Sequence, residues 1–351
     1  MHKNWKKIIL KSNSTMKEAI KVLNDEALRI IMVVDNNQKL IGTITDGDIR
    51  RAIFDHKDMK VHLGEIMHKT PITISDQLSE KQVLSLMKEK NVLQIPILDS
   101  EGIVIGLKTL QNTYDVEVHE NTVFLMAGGF GTRLQPLTEN VPKPLLKIGA
   151  SPILEIILKQ LIDSGFHNFV ISTHYKAQML KDYFGDGSKW DVNISYVYEE
   201  SPLGTAGSLG LLPKKNNDLP VLIMNGDLLT KVDFNSFLNF HNNQNGVASM
   251  CVREYDIEVP YGVVESANQK LTNIIEKPIH KFFVNAGIYI LNQSLIDKLD
   301  GLARIDMTTL LENQIKKGLE VNIFPLHEYW LDIGHLEQFE QANRDSKREF
   351  E

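Results

Sequence analysis

The segment VFLMAGGFGTRL contains residues whose types and order suggest phosphate chemistry. Its apolar run ends at Ala127, and Gly128, Gly129 and Gly131 follow, the order expected of a buried strand that enters a tight turn. Glycines let backbone N–H groups approach a polyphosphate closely, because no Cβ stands in the way. Arg133 then supplies a positive charge. The segment therefore predicts a phosphate-binding loop, with an ordinary strand-to-helix turn as the alternative.

A second cation, Lys143, follows in the segment PKPLLKIG. The two prolines that flank it keep the chain stiff and extended, so the ammonium group is held in one place. Taken together, VFLMAGGFGTRL and PKPLLKIG lack the G-x-G-x-x-G pattern of dinucleotide-binding domains and the G-K-[ST] ending of a Walker A loop. They therefore belong to neither of these two nucleotide-binding classes.

The whole stretch LMAGGFGTRLQPLTENVPKPLLKIG resembles the signature of the sugar-phosphate nucleotidyltransferases. The resemblance implies that a sugar 1-phosphate oxygen attacks the α-phosphorus of a nucleoside triphosphate and that pyrophosphate leaves. Arg133 and the loop, including Ala127 and Thr132, would hold the triphosphate. Lys143 would offset charge on the α-phosphoryl group.

Two aspartates lie in further segments that resemble this family. Asp227 follows the apolar run VLIMNG, and Asp332 lies in YWLDIGHLEQF just before a helical pattern. The family resemblance implies that both bind a Mg²⁺ ion, which we expect as the cofactor. The alternatives are a turn residue for Asp227 and a helix N-cap for Asp332.

The segment YVYEESPLGTAGSLGLL resembles the family's base-recognition loop, and its PLGTAGSL part looks most like guanylyltransferases. Gly204 and Thr205 are thereby predicted to bind nucleotide. Glu199 precedes this part, and a carboxylate only accepts hydrogen bonds, whereas the Watson–Crick edge of guanine offers two adjacent donors. Glu199 therefore favours GTP; the alternative is a solvated strand end.

Three short segments, PYGVV, IIEKP and VNAGIYIL, match the family's sugar-phosphate pattern. The match implies that Glu276 and Asn285 bind sugar hydroxyls and the ring, that Lys277 binds the phosphate, and that Gly262 and Gly287 leave room. A Glu–Lys pair is also common on ordinary protein surfaces, which is the alternative for the second segment.

Other residues with chemical potential are better explained by structure. We expect His174 to be a hydrogen-bonded group at a strand end, and Trp190 and Trp330 to be packing residues. Cys251 lies in a predicted strand with no base nearby in sequence that would make it a nucleophile.

The first third of the chain contains an internal repeat. VVDNNQKLIGTIT matches ILDSEGIVIGLKT at an offset of 64 residues, with Ile31 opposite Ile95. Each repeat is predicted as helix, strand, turn and strand. Two such units, over about 5–60 and 61–118, resemble a CBS-domain pair.

The CBS resemblance implies a nucleotide site as well. Thr45 and Asp48 fit a Thr-x-x-Asp pattern that would hold the ribose of an adenine nucleotide effector, while the second repeat has Thr109 and Asn112 instead. The alternative is that Asp48 caps a helix starting at Ile49. A third possibility is that the pair serves only for dimerisation.

The elements that position these residues form an alternating pattern after residue 120. Strands near Val123, Phe169, Ile194, Val221, Ala248 and Phe283 alternate with helical stretches at 151–164, 176–183, 234–241 and 307–317. This order predicts a Rossmann-like, mixed and mostly parallel α/β domain at 121–351, of the GT-A-like type that the resemblance implies. An α+β tandem CBS domain at 1–120 precedes it.

Composition narrows the class of protein. Residues 1–120 hold 17 Lys+Arg and 17 Asp+Glu, so the net charge of −7 lies on residues 121–351, and neither part is a basic nucleic-acid binder. No apolar run approaches the ~20 residues of a membrane span. With one cysteine, an internal disulfide is excluded. We expect a cytoplasmic homo-oligomer without a membrane or nucleic-acid partner.

The fusion of the two predicted domains resembles guanylyltransferases of bacterial legionaminic acid pathways. That resemblance makes glucosamine 1-phosphate the first candidate substrate and mannose 1-phosphate the second, because the sugar-pocket segments do not distinguish them. A uridylyl- or thymidylyltransferase is a further alternative. From another class, the chain would be an inactive nucleotide-sensing regulator.

Overall fold

The computed structural model describes the chain in seven stretches: 5–26, 28–75, 78, 80–90, 92–109, 118–213 and 217–349. The chain divides into two compact units, Met1–Tyr114 with Asp256–Lys281, and Asp115–Tyr255 with Phe282–Glu351. Asn112 and part of the predicted boundary segment lie outside the described residues.

The strands of the described residues, in chain order, are β1 (Ile9–Lys11), β2 (Ile30–Val34), β3 (Leu40–Thr45), β4 (Ile74–Ser75), β5 (Gln94–Leu98), β6 (Val104–Thr109), β7 (His119–Met126), β8 (Lys147–Ile148), β9 (Ser151–Pro152), β10 (Phe166–Thr173), β11 (Asn193–Tyr198), β12 (Val221–Asn225), β13 (Leu228–Thr230), β14 (Ala248–Glu258), β15 (Val263–Ala267), β16 (Lys270–Ile275), β17 (Ile279–Leu291), β18 (Val321–Leu326) and β19 (Trp330–Asp332).

The α-helices are α1 (Met16–Glu26), α2 (Asp46–Phe54), α3 (Leu63–Ile66), α4 (Glu80–Glu89), α5 (Ile153–Asp163), α6 (Ala177–Phe184), α7 (Gly204–Gly207), α8 (Phe234–Asn242), α9 (Gln293–Ile296), α10 (Met307–Lys316) and α11 (Leu336–Glu349). Within the described residues, no helix combines the length and apolar character needed to cross a membrane.

The first unit shows the internal repeat in its backbone pairing. Each half has a three-stranded sheet, β1-β2-β3 and β4-β5-β6, with one parallel and one antiparallel pair. Val33 pairs with Gly42 in the first half, and Ile97 pairs with Gly106 in the second, each followed by a β-bulge. Ile97 follows Val33, and Gly106 follows Gly42, by the same 64 residues as the offset of the sequence repeat. The predicted repeat is therefore confirmed as a structural repeat.

Helix α2 begins earlier than expected, which changes the role of Asp48. The helix starts at Asp46 with Thr45 as its N-cap, not at Ile49. Asp48 accepts hydrogen bonds from the Thr45 backbone N–H and hydroxyl, both at 2.7 Å, and pairs with Arg51. Asp48 is therefore the third helical residue of a capping box rather than the cap itself.

The second unit is built on a seven-stranded sheet of order β11-β10-β7-β12-β17-β14-β18. Strands β11, β10, β7 and β12 are parallel, and β17 runs antiparallel to β12. Their alternate residues belong to two different apolar clusters: Leu125 and Leu222 to one, Phe124 and Ile223 to the other. Because side chains alternate between the faces of a strand, the sheet is packed on both sides.

Helices cover both faces of this sheet. The face with Leu125 packs on α5, whose sequence ILEIILKQLID is apolar over most of its length. The other face packs on α10 through Met307, Leu310 and Leu311. The predicted helices at 151–164, 176–183, 234–241 and 307–317 are confirmed as α5, α6, α8 and α10. The mixed, mostly parallel α/β class is confirmed.

Candidate active site

The glycine segment, residues 128–131, leaves the sheet just after the end of β7. Gly131 has φ 66°, and a Cβ built on it would lie 2.9 Å from the Thr138 Cγ2 atom. The buried Thr138 hydroxyl donates to the Gly131 carbonyl at 2.8 Å. A side chain at position 131 would thus be strained by its backbone angle and by its neighbour, so this position requires glycine.

Gly128 lies against the carboxylate of Glu199. A Cβ on Gly128 would be 2.9 Å from Glu199 Oε1, whereas a Cβ on Gly129 would have no neighbour within 4 Å. Glu199 is buried, and its Oε2 accepts the Leu203 N–H at 3.0 Å. The solvated-strand-end alternative for Glu199 is therefore wrong, and its side chain borders the glycine segment.

Asp227 lies beside the start of the glycine segment because of a close backbone contact. In the sheet register, Asn225 on β12 is level with Met126 on β7. The Gly226 N–H then donates to the Met126 carbonyl at 2.8 Å, and a Cβ on Gly226 would lie 2.6 Å from that oxygen. Only a glycine permits this approach, which places Asp227 at the end of β7.

Lys143 forms an ion pair with Asp227. The Lys143 Nζ atom lies 2.5 Å from Asp227 Oδ2, and Lys143 is itself buried. Lys143 begins a short 3-10 helix, with Pro142 as its N-cap and proline again at the next position. Lys143 thus lies in a 3-10 turn and not in the extended segment that the flanking prolines predicted, and its ammonium group is held by the ion pair.

The second aspartate reaches the same place through a different pair of strands. β13 and β19 are antiparallel, with Leu228 paired to Asp332, and the Ile333 N–H donates to the Asp227 carbonyl at 3.1 Å. The two aspartates, far apart in the sequence, therefore lie on adjacent backbone segments. Arg133 belongs to the same group: its Nη1 atom is 3.6 Å from the position of a Cβ on Gly334.

The charges of this group act on one another. Desolvation first, and then repulsion from the Asp227 carboxylate, raise the pKa of Asp332 above its usual range. The positive charges of Lys143, Arg133 and His335 oppose that rise. Two carboxylates provide the hard oxygen ligands that Mg²⁺ prefers, and a cation between them would relieve the repulsion that Asp332 experiences. Asp227 and Asp332 could thus hold this metal.

The other predicted nucleotide residues have structural partners. Gly204 has φ 77°, and a Cβ there would lie 2.6 Å from the Ile305 carbonyl oxygen. The Thr205 hydroxyl accepts the N–H of Met307 at 2.7 Å, at the first residue of α10. These contacts join the segment after Glu199 to α10, and nucleotide binding by Gly204 and Thr205 stays a prediction.

The predicted sugar residues fall into both units. In the second unit, Asn285 donates to the Tyr289 hydroxyl at 2.6 Å, and a Cβ on Gly287 would lie 2.6 Å from the Asn225 Nδ2 atom. Gly287 thus adjoins the strand end that leads to Asp227. The remaining three residues belong to the first unit, where Gly262 lies against the Glu276 carboxylate and Lys277 has φ 46°.

Residues of the segment HYK, after β10, contribute contacts that the sequence did not reveal. His174 Nδ1 lies 2.7 Å from the Glu199 carbonyl oxygen, and Tyr175 and Lys176 donate to the Glu139 carbonyl at 3.2 and 2.6 Å. His174 was predicted only as a hydrogen-bonded strand-end group. Its position after a parallel strand next to β7 was the available signal, because such strand ends share one edge of a sheet.

The residues assigned to packing behave as expected. Trp330 packs against the main apolar cluster and donates to the Ala286 carbonyl at 2.9 Å. Trp190 packs on Phe184 with ring centroids 5.6 Å apart. Cys251 is a buried free thiol within the same cluster.

The fold is that of a mixed α/β domain with a cluster of cations and carboxylates at one edge of its sheet. The family description "Nucleotidyl transferase" matches residues 122–349, and "CBS domain" matches 4–55 and 63–107. The chain belongs to the nucleotidyl transferase family and carries a CBS-domain pair before the family domain.

Several curated proteins are similar to this chain. A mannose-1-phosphate guanyltransferase of Debaryomyces hansenii is 32% identical over 230 residues, which are 61% of this chain and 61% of the relative. A probable mannose-1-phosphate guanylyltransferase 1 of Oryza sativa is 34% identical over 221 residues, 60% of each protein. The chain thus spans about three fifths of the length of these relatives.

Solved structures show the same fold. A putative glucose-1-phosphate thymidylyltransferase from Bacillus anthracis superposes with a TM-score of 0.53 at 22% identity, covering 64% of this chain and 94% of that one. HddC from Yersinia pseudotuberculosis gives a TM-score of 0.50 at 25% identity, covering 64% and 99%.

The contact between Gly128 and Glu199 gives a stability prediction. We expect Gly128→Ala to lower the free energy of unfolding by about 1 kcal/mol, because the new methyl group displaces a buried, hydrogen-bonded carboxylate. Gly129→Ala is the matched control and should have a much smaller effect, since its Cβ meets open space. Thermal and urea unfolding of the full chain measure both variants.

A double-variant experiment isolates the cause. In a Glu199→Ala background the obstacle is gone, so Gly128→Ala should cost almost nothing there. An equal cost in both backgrounds would show that the carboxylate contact is not responsible.

Proposed function

We propose that this protein is a sugar-1-phosphate nucleotidyltransferase that joins a nucleoside triphosphate, GTP by preference, to a sugar 1-phosphate and releases pyrophosphate. The observation that carries the proposal is the convergence of Arg133, Lys143, Asp227 and Asp332 at the end of β7, beside the glycine segment. Family membership and the names of the similar curated proteins support it.

The chemistry requires two polyanions to approach each other, which they resist in water. Backbone amides of the glycine segment and Arg133 bind the triphosphate, and Lys143 stabilises negative charge on the α-phosphoryl group. Because Lys143 is buried and paired, its ammonium needs little reorganisation when the substrate arrives. When bound, Mg²⁺ supplies Lewis-acid neutralisation of the phosphates, with Asp227 and Asp332 as its protein ligands.

Glu199 is the residue that selects the base. Its buried carboxylate can accept from guanine N1–H and the 2-amino group, while uracil and thymine would leave it facing a carbonyl. One carboxylate oxygen already accepts the Leu203 N–H, which fixes the side chain. A fixed acceptor discriminates between bases more strongly than a mobile one.

The sugar is the finer part of the proposal. The fusion of a CBS pair with this domain favours glucosamine 1-phosphate, and the names of the curated relatives favour mannose 1-phosphate as the second candidate. Asn285 would bind the sugar ring, and the roles of Lys277 toward the phosphate and of Glu276 toward the hydroxyls stay predictions from the sequence. A matrix of four triphosphates against several sugar 1-phosphates, with pyrophosphate release as the readout, decides both substrates.

The carboxylates provide the first test of the activity. We expect Asp227→Asn and Asp332→Asn to reduce turnover by at least about a thousandfold while the circular dichroism spectrum is unchanged, because the phosphates lose their charge-balancing ion. Asp163→Asn, at the exposed end of α5, is the matched control and should keep full activity.

Two results would contradict this assignment. Near wild-type, Mg²⁺-dependent turnover by either site variant would remove the aspartates from the site. Absence of pyrophosphate release by the wild type with every substrate pair would favour the inactive nucleotide-sensing regulator.

Base selection is tested by Glu199→Gln. The amide oxygen can still accept the Leu203 N–H, but the amide nitrogen meets the guanine donors, so the GTP:UTP ratio of kcat/KM should fall about tenfold or more. Glu200→Gln, the exposed neighbour, should leave that ratio unchanged. If wild-type protein uses UTP or dTTP better than GTP, the guanylyl preference is wrong.

The CBS pair is proposed to bind an adenine nucleotide through Thr45 and Asp48 and to regulate the enzyme. Because Asp48 already binds Thr45 and Arg51, a ribose would have to compete with these partners. We expect AMP or ATP to raise the melting temperature of the chain and to change its rate, and Asp48→Asn to reduce both effects.

Unchanged melting temperature and rate with AMP, ATP and GTP would contradict regulation by nucleotides. If the full chain then sediments as a homo-oligomer, the CBS pair would be assigned to dimerisation alone.

A further inference from the structure

A group of aromatic rings, which we call the aromatic wall, lies beside the glycine segment. It consists of Phe130, His174, Tyr175 and Tyr198. The Phe130 ring is 5.1 Å from the His174 ring in an edge-to-face arrangement and 5.8 Å from the Tyr175 ring. His174 in turn lies 6.2 Å from the Tyr198 ring. These are the spacings of aromatic rings in mutual contact.

The two outer rings of the wall are accessible. Phe130 is 47% exposed and Tyr198 is 52% exposed, whereas Phe124, Phe166 and Phe169 of the same unit are buried. Phe130 also stands between Gly129 and Gly131, so it is the one bulky side chain of the glycine segment. Exposed aromatic faces beside a group of charged side chains are typical of ligand contacts.

Hydrogen bonds hold the wall in position. His174 Nδ1 donates to the Glu199 carbonyl at 2.7 Å, because a carbonyl oxygen can only accept. The Tyr175 hydroxyl shares its single proton between the carbonyls of Thr138 and Glu139, each 3.2 Å away. The inner rings are therefore fixed to the two segments that flank the glycine turn, and the outer rings pack on fixed neighbours.

The wall adjoins the residue proposed to read the base. A Cβ on Gly128 would lie 3.5 Å from the His174 Cβ atom and 2.9 Å from Glu199 Oε1. The histidine ring and the Glu199 carboxylate thus border the same short piece of backbone. Tyr198 is the residue directly before Glu199 at the end of β11.

We propose that Phe130 and Tyr198 stack on the nucleobase of the triphosphate. The inference rests on the proposed function and adds a division of roles to it. Stacking depends on the area of the π-face and favours a purine, while Glu199 reads the edge of the base. Neither contact involves the phosphates.

Binding measurements on the full chain, without sugar phosphate, test the proposal. We expect Phe130→Ala and Tyr198→Ala each to weaken GTP binding about tenfold, the scale of one lost stacking contact, and to leave the affinity for inorganic tripolyphosphate unchanged. Tyr198→Phe should bind GTP like the wild type, because the ring face is kept. Tyr255→Ala is the matched control, an equally exposed tyrosine (55%) of the second unit.

Three results would overturn the proposal. Equal weakening of GTP and tripolyphosphate would mean that the wall only shapes the phosphate loop. Equal effects of Tyr198→Phe and Tyr198→Ala would assign the contact to the hydroxyl group. Unchanged GTP affinity in the alanine variants would exclude stacking.

The test separates this proposal from the proposed function. Pyrophosphate release by the wild type together with unchanged GTP affinity in the alanine variants overturns stacking alone. Weakened GTP binding in the variants without any turnover by the wild type overturns the enzymatic function and keeps the stacking. A wild type that binds no GTP overturns the stacking and the GTP preference, and turnover with another triphosphate would still support the enzymatic function.

Discussion

The ion pair between Lys143 and Asp227 connects the two parts of the site. Lys143 belongs to the segment that follows the glycine turn, and Asp227 follows β12, so the pair joins the end of that segment to the sheet. A buried ammonium needs such a partner, because its charge is otherwise poorly compensated away from water. Lys143, which we propose to neutralise substrate charge, is thus held by Asp227, a proposed metal ligand.

The same segment is attached to the sheet on its other side. Tyr175 and Lys176, after β10, bind the Glu139 carbonyl, and Thr138 binds the Gly131 carbonyl. Strands β10, β7 and β12 are parallel and in register at Ser172, Met126 and Asn225. Both attachments therefore follow from one geometric fact, that parallel strands end at a common edge.

Local patterns predicted much of this structure. Patterns of apolar residues over short stretches of sequence predicted the strand before the glycines and the helices at 151–164 and 307–317. The repeat was found by matching the sequence with itself. Other features depend on pairing between distant segments. The Leu228 to Asp332 register brings the aspartates together, and the His174 contact to Glu199 joins two strand ends. The capping box of α2 was missed because Thr45 continues a strand pattern up to the helix.

Holding the site in its binding geometry before a ligand is present lowers the stability of the protein but strengthens the later binding of the ligand. Desolvation, and after it repulsion from the Asp227 carboxylate, raise the pKa of Asp332. The repulsion means that the two carboxylates are held closer than their charges favour. The surrounding contacts sustain this arrangement: the β13–β19 pairing fixes the backbone, and Lys143 compensates part of the charge. A ligand that brings positive charge then finds its partners already placed and loses little free energy in ordering them.

The proposed base contacts follow the same principle, since Glu199 and His174 are hydrogen-bonded before any nucleotide is present. The constraint that brings the carboxylates together thus also suits the metal-bound polyphosphate that we propose as the ligand of this site.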